Sequence, residues 1–402
     1  MMDDGMRHYV FLRVFKKKCG WGGFEKMLLD YFERTDYSKV RITFVTNLDI
    51  HSERFRQKGL PVEVKLFPLD NPGNPYMPLR DRYHFLKSLK PDVVVLAQGA
   101  FVDFILPDFL AAFMVSRGRL YSLEVLGAPE PPVRSSRKFL GFIPGMGLWW
   151  YKRVLPCGLK GWLCRYNICN SHDVRNRLID WYGYPKHKTV TIYHGVDLTA
   201  FTPDSEAKAR LREQWGIGAA NKVIISTARF SPEKCIDRLI DAFGELSDFT
   251  GVWLFLVGDG PLKNDLEKLA AQKRNAGRIV FAGFQERVVD FLRMSDIFAL
   301  PSDIEGLSNA MMEAMAVGLI PVVTDVPGAG ETIRNGVDGF IVERTSVAVC
   351  AGLKKALALP EGEALKMSSE ARGSIQKKFN VENGAREALR ALGIPHLPMP
   401  AM

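Results

Sequence analysis

The chain has 402 residues, of which 47% are hydrophobic and 25% charged, and its 54 basic against 45 acidic side chains give a net charge of +9. That length is too great for one ordinary core, so two domains of roughly 200 residues are expected, and the composition excludes a disordered or fibrous chain. The positive balance suits a protein that handles phosphates, nucleic acid or an anionic membrane surface, without choosing among them. Six cysteines, Cys19, Cys157, Cys164, Cys169, Cys235 and Cys350, are scattered with neither CxxC nor zinc spacing. Reduced thiols in a reducing compartment are therefore expected, with no structural metal.

The amino terminus, MMDDGMRHYVFLRVF, carries acids where an export signal needs positive charge, and it runs straight into a strand pattern. Apolar runs read as strands at Tyr9 to Phe15, Arg41 to Thr46, Val62 to Leu66, Val93 to Ala97, Leu120 to Val125 and Asn167 to Asn170. The longest apolar stretch, Val93 to Val115, is broken by Gln98, Asp103, Pro107 and Asp108, so it predicts a strand, a turn and a helix, and no transmembrane span.

Turn residues and then a charged helix interrupt the alternation in YHGVDLTAFTPDSEAKARLREQWGIG, which places a hinge near Gly195 to Pro203. A second series of strands follows at Lys222 to Thr227, Val252 to Val257, Ile279 to Ala282, Ile297 to Leu300, Ile320 to Thr324 and Gly339 to Val342. Strands alternating with helices predict parallel sheets covered by helices. The expected fold is α/β, two Rossmann-like doubly wound domains facing across a cleft, with ligands at the carboxyl ends of the strands. The expected division is 1–196, 197–378, and a carboxyl-terminal helix and tail over 379–402 that returns to the first domain.

Five loops after predicted strands carry chemistry. In CGWGGFE, Gly22 and Gly23 let backbone approach a phosphate and open a helix; a turn that merely reverses the chain is the other reading. ARFSPEKC offers Arg229 and Lys234, two cations able to neutralise a diphosphate leaving group, or else to form surface ion pairs with Glu233 or Asp237. VGDGPLKNDL sets Gly258 and Gly260 after a strand, with Gly258 counted among the donor-binding residues and plain tight-turn chemistry as the other reading, and PGAGE has Gly328 and Gly330 in a similar place.

SDIEGLSNAMMEAMAVG is the most informative stretch. Ser308 reads as an N-cap and Gly318 as the stop of a helix from about Asn309 to Val317, whose open amides and dipole form an anion site needing no metal. Glu313, about one turn in, then meets ribose hydroxyls, and Glu305 meets the group beyond the phosphates. The alternative is an amphipathic helix with two solvated glutamates.

Taken together, ARFSPEKCIDRLIDAF, LFLVGDGP, FAGF, SDIEGLSNAMMEAMAVGLIPVVTD and NGVDGFIV, spanning about Val223 to Val342, resemble the nucleotide-binding domain of retaining GT-B glycosyltransferases, family four. NICNSHDVRNRLIDWYG and TIYHGVD resemble that family's entry to its hinge, and CGWGGFE its first glycine loop. The resemblance implies a hexosyltransferase with the GT-B fold that uses a nucleotide-sugar donor, uridine being the family's usual base. It implies that Arg229 and Lys234 hold the diphosphate, that Glu313 holds the ribose, and that Glu305 contacts the sugar. It also implies a donor loop through Gly306 and Leu307, with Ser308 and Asn309 amides on the outer phosphate and backbone near Phe284 and Gln285 on the base. Catalytic roles then fall to Glu305, Arg229 and Lys234. Cys235 and His194 stand where the family usually has glycine and asparagine. On the acceptor side a strand-end histidine is missing, leaving Gln98 and Glu124 as the polar candidates.

Asp303 and Glu305 mimic a metal-binding DxE, but helix amides and cations already offset the phosphate charge, so neither metal nor cofactor is expected. Arg134 to Arg165 holds seven basic and no acidic residues among Phe139, Phe142, Trp149, Trp150, Tyr151 and Trp162. Either it meets an anionic membrane or lipid-linked acceptor, or it packs as a helix with solvated cations. With no recognition motif, a nucleic-acid partner is not expected. The reading is a cytoplasmic transferase acting on a saccharide or lipid-linked saccharide in cell-surface glycan synthesis, with peripheral attachment to the inner membrane face through that segment. The alternatives are an inactive nucleotide-sugar-binding partner of another transferase, or a GT-B epimerase or phosphorylase.

Overall fold

A computed structural model describes residues 6–15, 22–67, 77–97, 105–125, 154–246 and 248–398. The chain divides into two units, Met1–His194 with Glu382–Met402, and Gly195–Val381. The division falls between His194 and Gly195 where 196/197 was expected, and between Val381 and Glu382 where 378/379 was expected.

The first unit is built on a parallel sheet of β1 (Arg7–Arg13), β2 (Val40–Thr46), β3 (Val62–Leu66), β4 (Val93–Leu96), β5 (Leu120–Glu124), β6 (Tyr166–Cys169) and β7 (Thr189–Thr191). Its strand order is β3-β2-β1-β4-β5-β6-β7. Because side chains alternate across a strand, Tyr9 and Phe11 of β1 enter one core with Phe32 and Phe44, while Val10 and Leu12 enter another with Phe109 and Leu120. Burial of both faces explains why these strands read as nearly continuous apolar runs. The helix Val381–Leu392 adds Ala385, Ala388, Leu389 and Leu392 to the first of those cores, and the Tyr9 hydroxyl donates to the Gly393 carbonyl at 2.5 Å.

The second unit carries β8 (Lys222–Thr227), β9 (Val252–Val257), β10 (Ile279–Gly283), β11 (Ile297–Leu300), β12 (Ile320–Thr324) and β13 (Phe340–Val342), all parallel, in the order β10-β9-β8-β11-β12-β13. In each sheet the chain winds one way from its first strand and then reverses, β1 beside β4 and β8 beside β11. At such a switch point the two neighbouring loops part and leave a crevice at the strand ends. In the second unit those loops are the ones that follow Thr227 and Leu300.

The twelve predicted strands all form, five with the expected ends and the rest with ends shifted by one or two residues. The seventh strand of the first sheet, Thr189–Thr191, is an addition. It is three residues long and lies on an edge, too short to show a period of two. Among the described residues no helix is long and apolar enough to cross a membrane.

Candidate functional site

The loop after β8 turns through Pro232–Lys234 into the helix Ile236–Gly244, and the loop after β11 leads through Ser302 to Glu305. Lys234 Nζ and Glu305 Oε1 are 2.7 Å apart across these loops, 71 residues from each other in the chain. Glu305 is 6% exposed and also accepts from Ser302 Oγ at 2.8 Å. Thr324 Oγ1, at the end of β12, donates to the Ser302 carbonyl at 2.6 Å and so fixes the residue that holds Glu305.

A second pair runs alongside. Arg238 Nη2 donates to Asp303 Oδ1 at 2.8 Å and its Nη1 to the Pro301 carbonyl at 2.7 Å, while the Asp303 amide donates to the Glu233 carbonyl at 3.0 Å. Burial alone would raise the Asp303 carboxyl, but the hydrogen bond and charge of Arg238 outweigh it and hold that carboxyl below the usual range. Sequence reasoning missed Arg238, Ser302 and Thr324. The only signal was a third cation in ARFSPEKCIDR, on the same helical turn as Asp237.

Neither ion pair weighed from sequence, Lys234 or Arg229 with Glu233 or Asp237, is the one formed. Glu233 accepts from Ser231 Oγ at 2.6 Å instead. Arg229 is exposed, and no ion pair or side-chain hydrogen bond of its guanidinium occurs among the described residues.

The helix Asn309–Ala316 opens at Ser308, whose Oγ accepts from the Met311 amide at 3.4 Å. That cap uses the Met311 amide, one of the amides at Asn309 to Met311 expected to stay open. Met311, Met312, Ala314 and Met315 are buried, and Glu313 is half-buried. The helix ends at Ala316, one residue short of the expected Val317; Gly318 follows with φ +87°, and the Leu319 amide returns to the Ala314 carbonyl at 3.0 Å.

The glycine loops brace this arrangement from behind. Gly258 has φ +145°, and a Cβ there would lie 1.9 Å from the Ala228 carbonyl oxygen. Gly328 has φ +81°, and its Cβ would lie 2.4 Å from the Gly306 oxygen. Each glycine thus admits one loop against the backbone of a loop bearing Arg229 or Glu305. On the loop after β10, Phe284 is 65% exposed and Gln285 Nε2 donates to the Ala282 carbonyl at 2.6 Å.

Cys235, where glycine was noted as usual, has φ +47° and ψ 45°, the left-handed region. Burial pushes its thiol up to about 11. The five described cysteines are all free thiols.

In the first unit the Gly22 amide donates to Glu25 Oε2 at 3.1 Å, and Glu25 Oε1 lies 3.1 Å from Arg13 Nη2 in a buried pair. Gly23 begins the helix Gly23–Glu33. The Gly22 donor is therefore occupied by the helix's own cap. Glu124, a candidate for the acceptor side, is 4% exposed and lies 2.5 Å from Lys160 Nζ. It also accepts from Ser122 Oγ at 2.5 Å and Tyr184 Oη at 3.3 Å. Burial would lower the Lys160 ammonium, but the Glu124 charge more than offsets it and holds the group above its ordinary range. Lys160, counted among surface cations from sequence, is instead 3% exposed. Burying it without Glu124 would leave an uncompensated charge, which is why the two occur together. Gln98, and most of Arg134 to Arg165, lie outside the described residues.

The family described as Glycosyltransferase Family 4 matches residues 21–200, and that described as Glycosyl transferases group 1 matches residues 207–373. The chain belongs to the GT-B glycosyltransferases of family four type. A relative of this glycosyltransferase, the GDP-mannose-dependent alpha-(1-6)-phosphatidylinositol monomannoside mannosyltransferase of Mycolicibacterium smegmatis, is 33% identical over 205 residues, 48% of this chain and 53% of that protein. Another, the N-acetyl-alpha-D-glucosaminyl L-malate synthase of Bacillus anthracis, is 28% identical over 200 residues, 49% of this chain and 51% of that one. The chain spans about half the length of these two relatives. The crystal structure of Anabaena HepE in complex with UDP and glucose superposes with a TM-score of 0.73 at 20% identity, covering 96% of this chain and 99% of that one. That likeness concerns the GT-B fold of the glycosyltransferase.

Proposed function

We propose that this glycosyltransferase moves a sugar from a nucleotide-diphosphate donor, UDP-linked, to a hydroxyl of a saccharide or lipid-linked saccharide, with retention at the anomeric carbon. The observation that carries the reading is the Lys234–Glu305 contact at the switch point of the second sheet, beside the exposed Arg229 and the open end of Asn309–Ala316. Lys234 and Arg229 neutralise the diphosphate as the bond to the sugar breaks, and the Ser308 and Asn309 amides take the outer phosphate. Glu305 turns to the sugar hydroxyls and Glu313 to the ribose. Phe284 offers a face for the base, with the backbone at Gln285 beside it. The departing phosphate oxygen assists the incoming hydroxyl on the same face of the sugar, and no metal is called on. Support for the donor class comes from the UDP named with HepE, and the GDP-mannose of the mycobacterial relative makes guanosine the competing base.

Peripheral attachment to an anionic membrane in the cytoplasm, in cell-surface glycan synthesis, is part of the same proposal. In the described part of the basic aromatic segment, helix Leu155–Leu163 exposes Leu155, Leu159 and Trp162 at helical spacing, and Arg165 is exposed beyond it. Because Lys160 faces Glu124, the remaining cations carry any attraction to the surface.

Incubation with UDP-glucose, UDP-N-acetylglucosamine and GDP-mannose tests the donor. Slow release of nucleoside diphosphate is expected from one uridine donor and lost in Lys234→Ala; release from none of them, with no binding of UDP or GDP, removes the reading.

A further inference from the structure

A cavity of about 260 Å³ lies in the first unit, between the end of helix Gly23–Glu33, the helix Val381–Leu392 and the tail at His396 to Pro398. The Leu397 amide donates to the Arg34 carbonyl at 2.9 Å and Thr35 bridges to His396, so the returning tail closes one wall. Residues 34–36 lead into the first residue of β2, which places the cavity at the amino edge of the sheet, away from the strand ends where ligands of such sheets bind. Nothing in the transfer reaction uses it.

Its charges are unevenly satisfied. Arg34 Nη2 reaches Glu382 Oε1 at 2.5 Å, and Glu33 is held by Lys58 at 2.8 Å, so each of the two acids on the rim has a cation of its own. His396 Nε2 accepts from Arg390 Nε at 3.3 Å and its Nδ1 lies 3.2 Å from the Leu397 carbonyl, which occupies both ring nitrogens. Arg34 and Arg386 both line the cavity, and one guanidinium nitrogen of each, Arg34 Nε and Arg386 Nη2, is buried without a hydrogen-bond partner. Buried guanidinium donors left unpaired are costly, and two arginines beside one space, Arg34 just past one helix and Arg386 on another, point to a shared acceptor.

We propose that this cavity binds the phosphate group of a small phosphate monoester, held between Arg34 and Arg386. A planar carboxylate is matched best by the parallel N–H groups of a single guanidinium, whereas donors arriving from two separate segments suit the separate oxygens of a tetrahedral anion. Leu397 and Pro398 supply an apolar wall for the organic part, and the volume exceeds that of phosphate alone. Occupancy ties the tail and both helices together.

Calorimetric titration of the full chain with inorganic phosphate, glycerol phosphate and acetate tests this. Both phosphates are expected to bind the wild type, and Lys234→Ala, which removes a cation of the donor loop, leaves that binding intact. Arg386→Ala weakens it at least tenfold, with Arg386→Gln as a second variant should the first melt early. No binding by wild type, unchanged affinity in both Arg386 variants, loss only in Lys234→Ala, or acetate binding better than phosphate would each overturn the assignment.

Discussion

Lys234 Nζ sits 2.7 Å from Glu305 Oε1, so the cation assigned to the diphosphate and the carboxylate assigned to the sugar are partners before any donor arrives. On the proposed roles, donor binding exchanges this pair, giving Lys234 a phosphate oxygen and Glu305 a hydroxyl. Lys234→Ala leaves a buried carboxylate without its cation, at a cost of about 1–3 kcal/mol in stability. Glu305→Gln keeps the shape and the Ser302 contact while removing the charge. Both variants are expected to lose about 100- to 1000-fold in turnover. Steady-state kinetics and urea melts check this, and full activity in either variant refutes the roles.

Glu124 and Lys160 form a buried pair in the first unit, and the expected cost of breaking it is structural. Lys160→Met should destabilise the protein by about 3–5 kcal/mol, because Glu124 stays buried and charged. Adding Glu124→Gln should recover much of that loss. UDP affinity should be the same in both proteins when measured below their melting range. A change in UDP affinity with no change in stability would return Glu124 to the ligand site.

How far the sequence reached is clear from these two pairs. Strands such as VWLFLV are legible because burial on both faces makes a continuous apolar run. The capped helix Asn309–Ala316 is legible because Ser308 and Gly318 are local signals. The Lys234–Glu305 contact was not, since the two residues are distant in the chain and only the sheet order brings their loops together. Lys160 was misread for a related reason. A lysine among aromatics looks solvated until its carboxylate, on a strand beside its helix, is known.

Acid should weaken the second unit through Asp296. Its carboxyl accepts from Lys208 at 2.8 Å, Arg212 at 2.5 Å and the Val223 amide at 2.8 Å. Burial raises this carboxyl, but Lys208 and Arg212 outweigh burial and hold it below the usual range. With the folded value depressed, its contribution is complete above the unfolded value of about 3.9 and is lost as pH falls through the folded one. Asp296→Asn should be less stable at neutral pH and show a flatter stability profile below about pH 4 than wild type. Parallel acid profiles in the two proteins would contradict the assignment.

Cys235 holds a left-handed conformation that costs a residue with a side chain about 1–2 kcal/mol. Cys235→Gly relieves this but frees the unfolded chain, so a net change between zero and about 1 kcal/mol of stabilisation is expected. Donor affinity should be unaltered, since the sulfur meets the Pro232 carbonyl at 3.3 Å and the Asp303 carboxyl, neither of which is assigned to the donor. With its thiol pushed up to about 11, Cys235 should also resist alkylation at neutral pH. Rapid labelling of Cys235 in the native protein, followed by mass spectrometry, would be the contrary result.

Gly258 tests whether the glycine loops act on the site from behind. A methyl group there would lie 1.9 Å from the Ala228 oxygen, on backbone with φ +145°, so Gly258→Ala must push the β9 loop away from the loop that carries Arg229. Strain of this kind costs about 1–3 kcal/mol, and Arg229 and Lys234 move with the displaced loop. The expected result is a weaker UDP complex and a higher KM for the donor, although Gly258 itself needs no contact with the nucleotide. Gly330 supplies the control, because a Cβ there meets nothing within 4 Å. Gly330→Ala should leave both stability and KM close to wild type. If the Gly258 variant lost stability but kept wild-type UDP affinity, the loop would be a structural brace with no hold on the diphosphate site. If both alanine variants lost affinity equally, close packing against Ala228 would not be the cause.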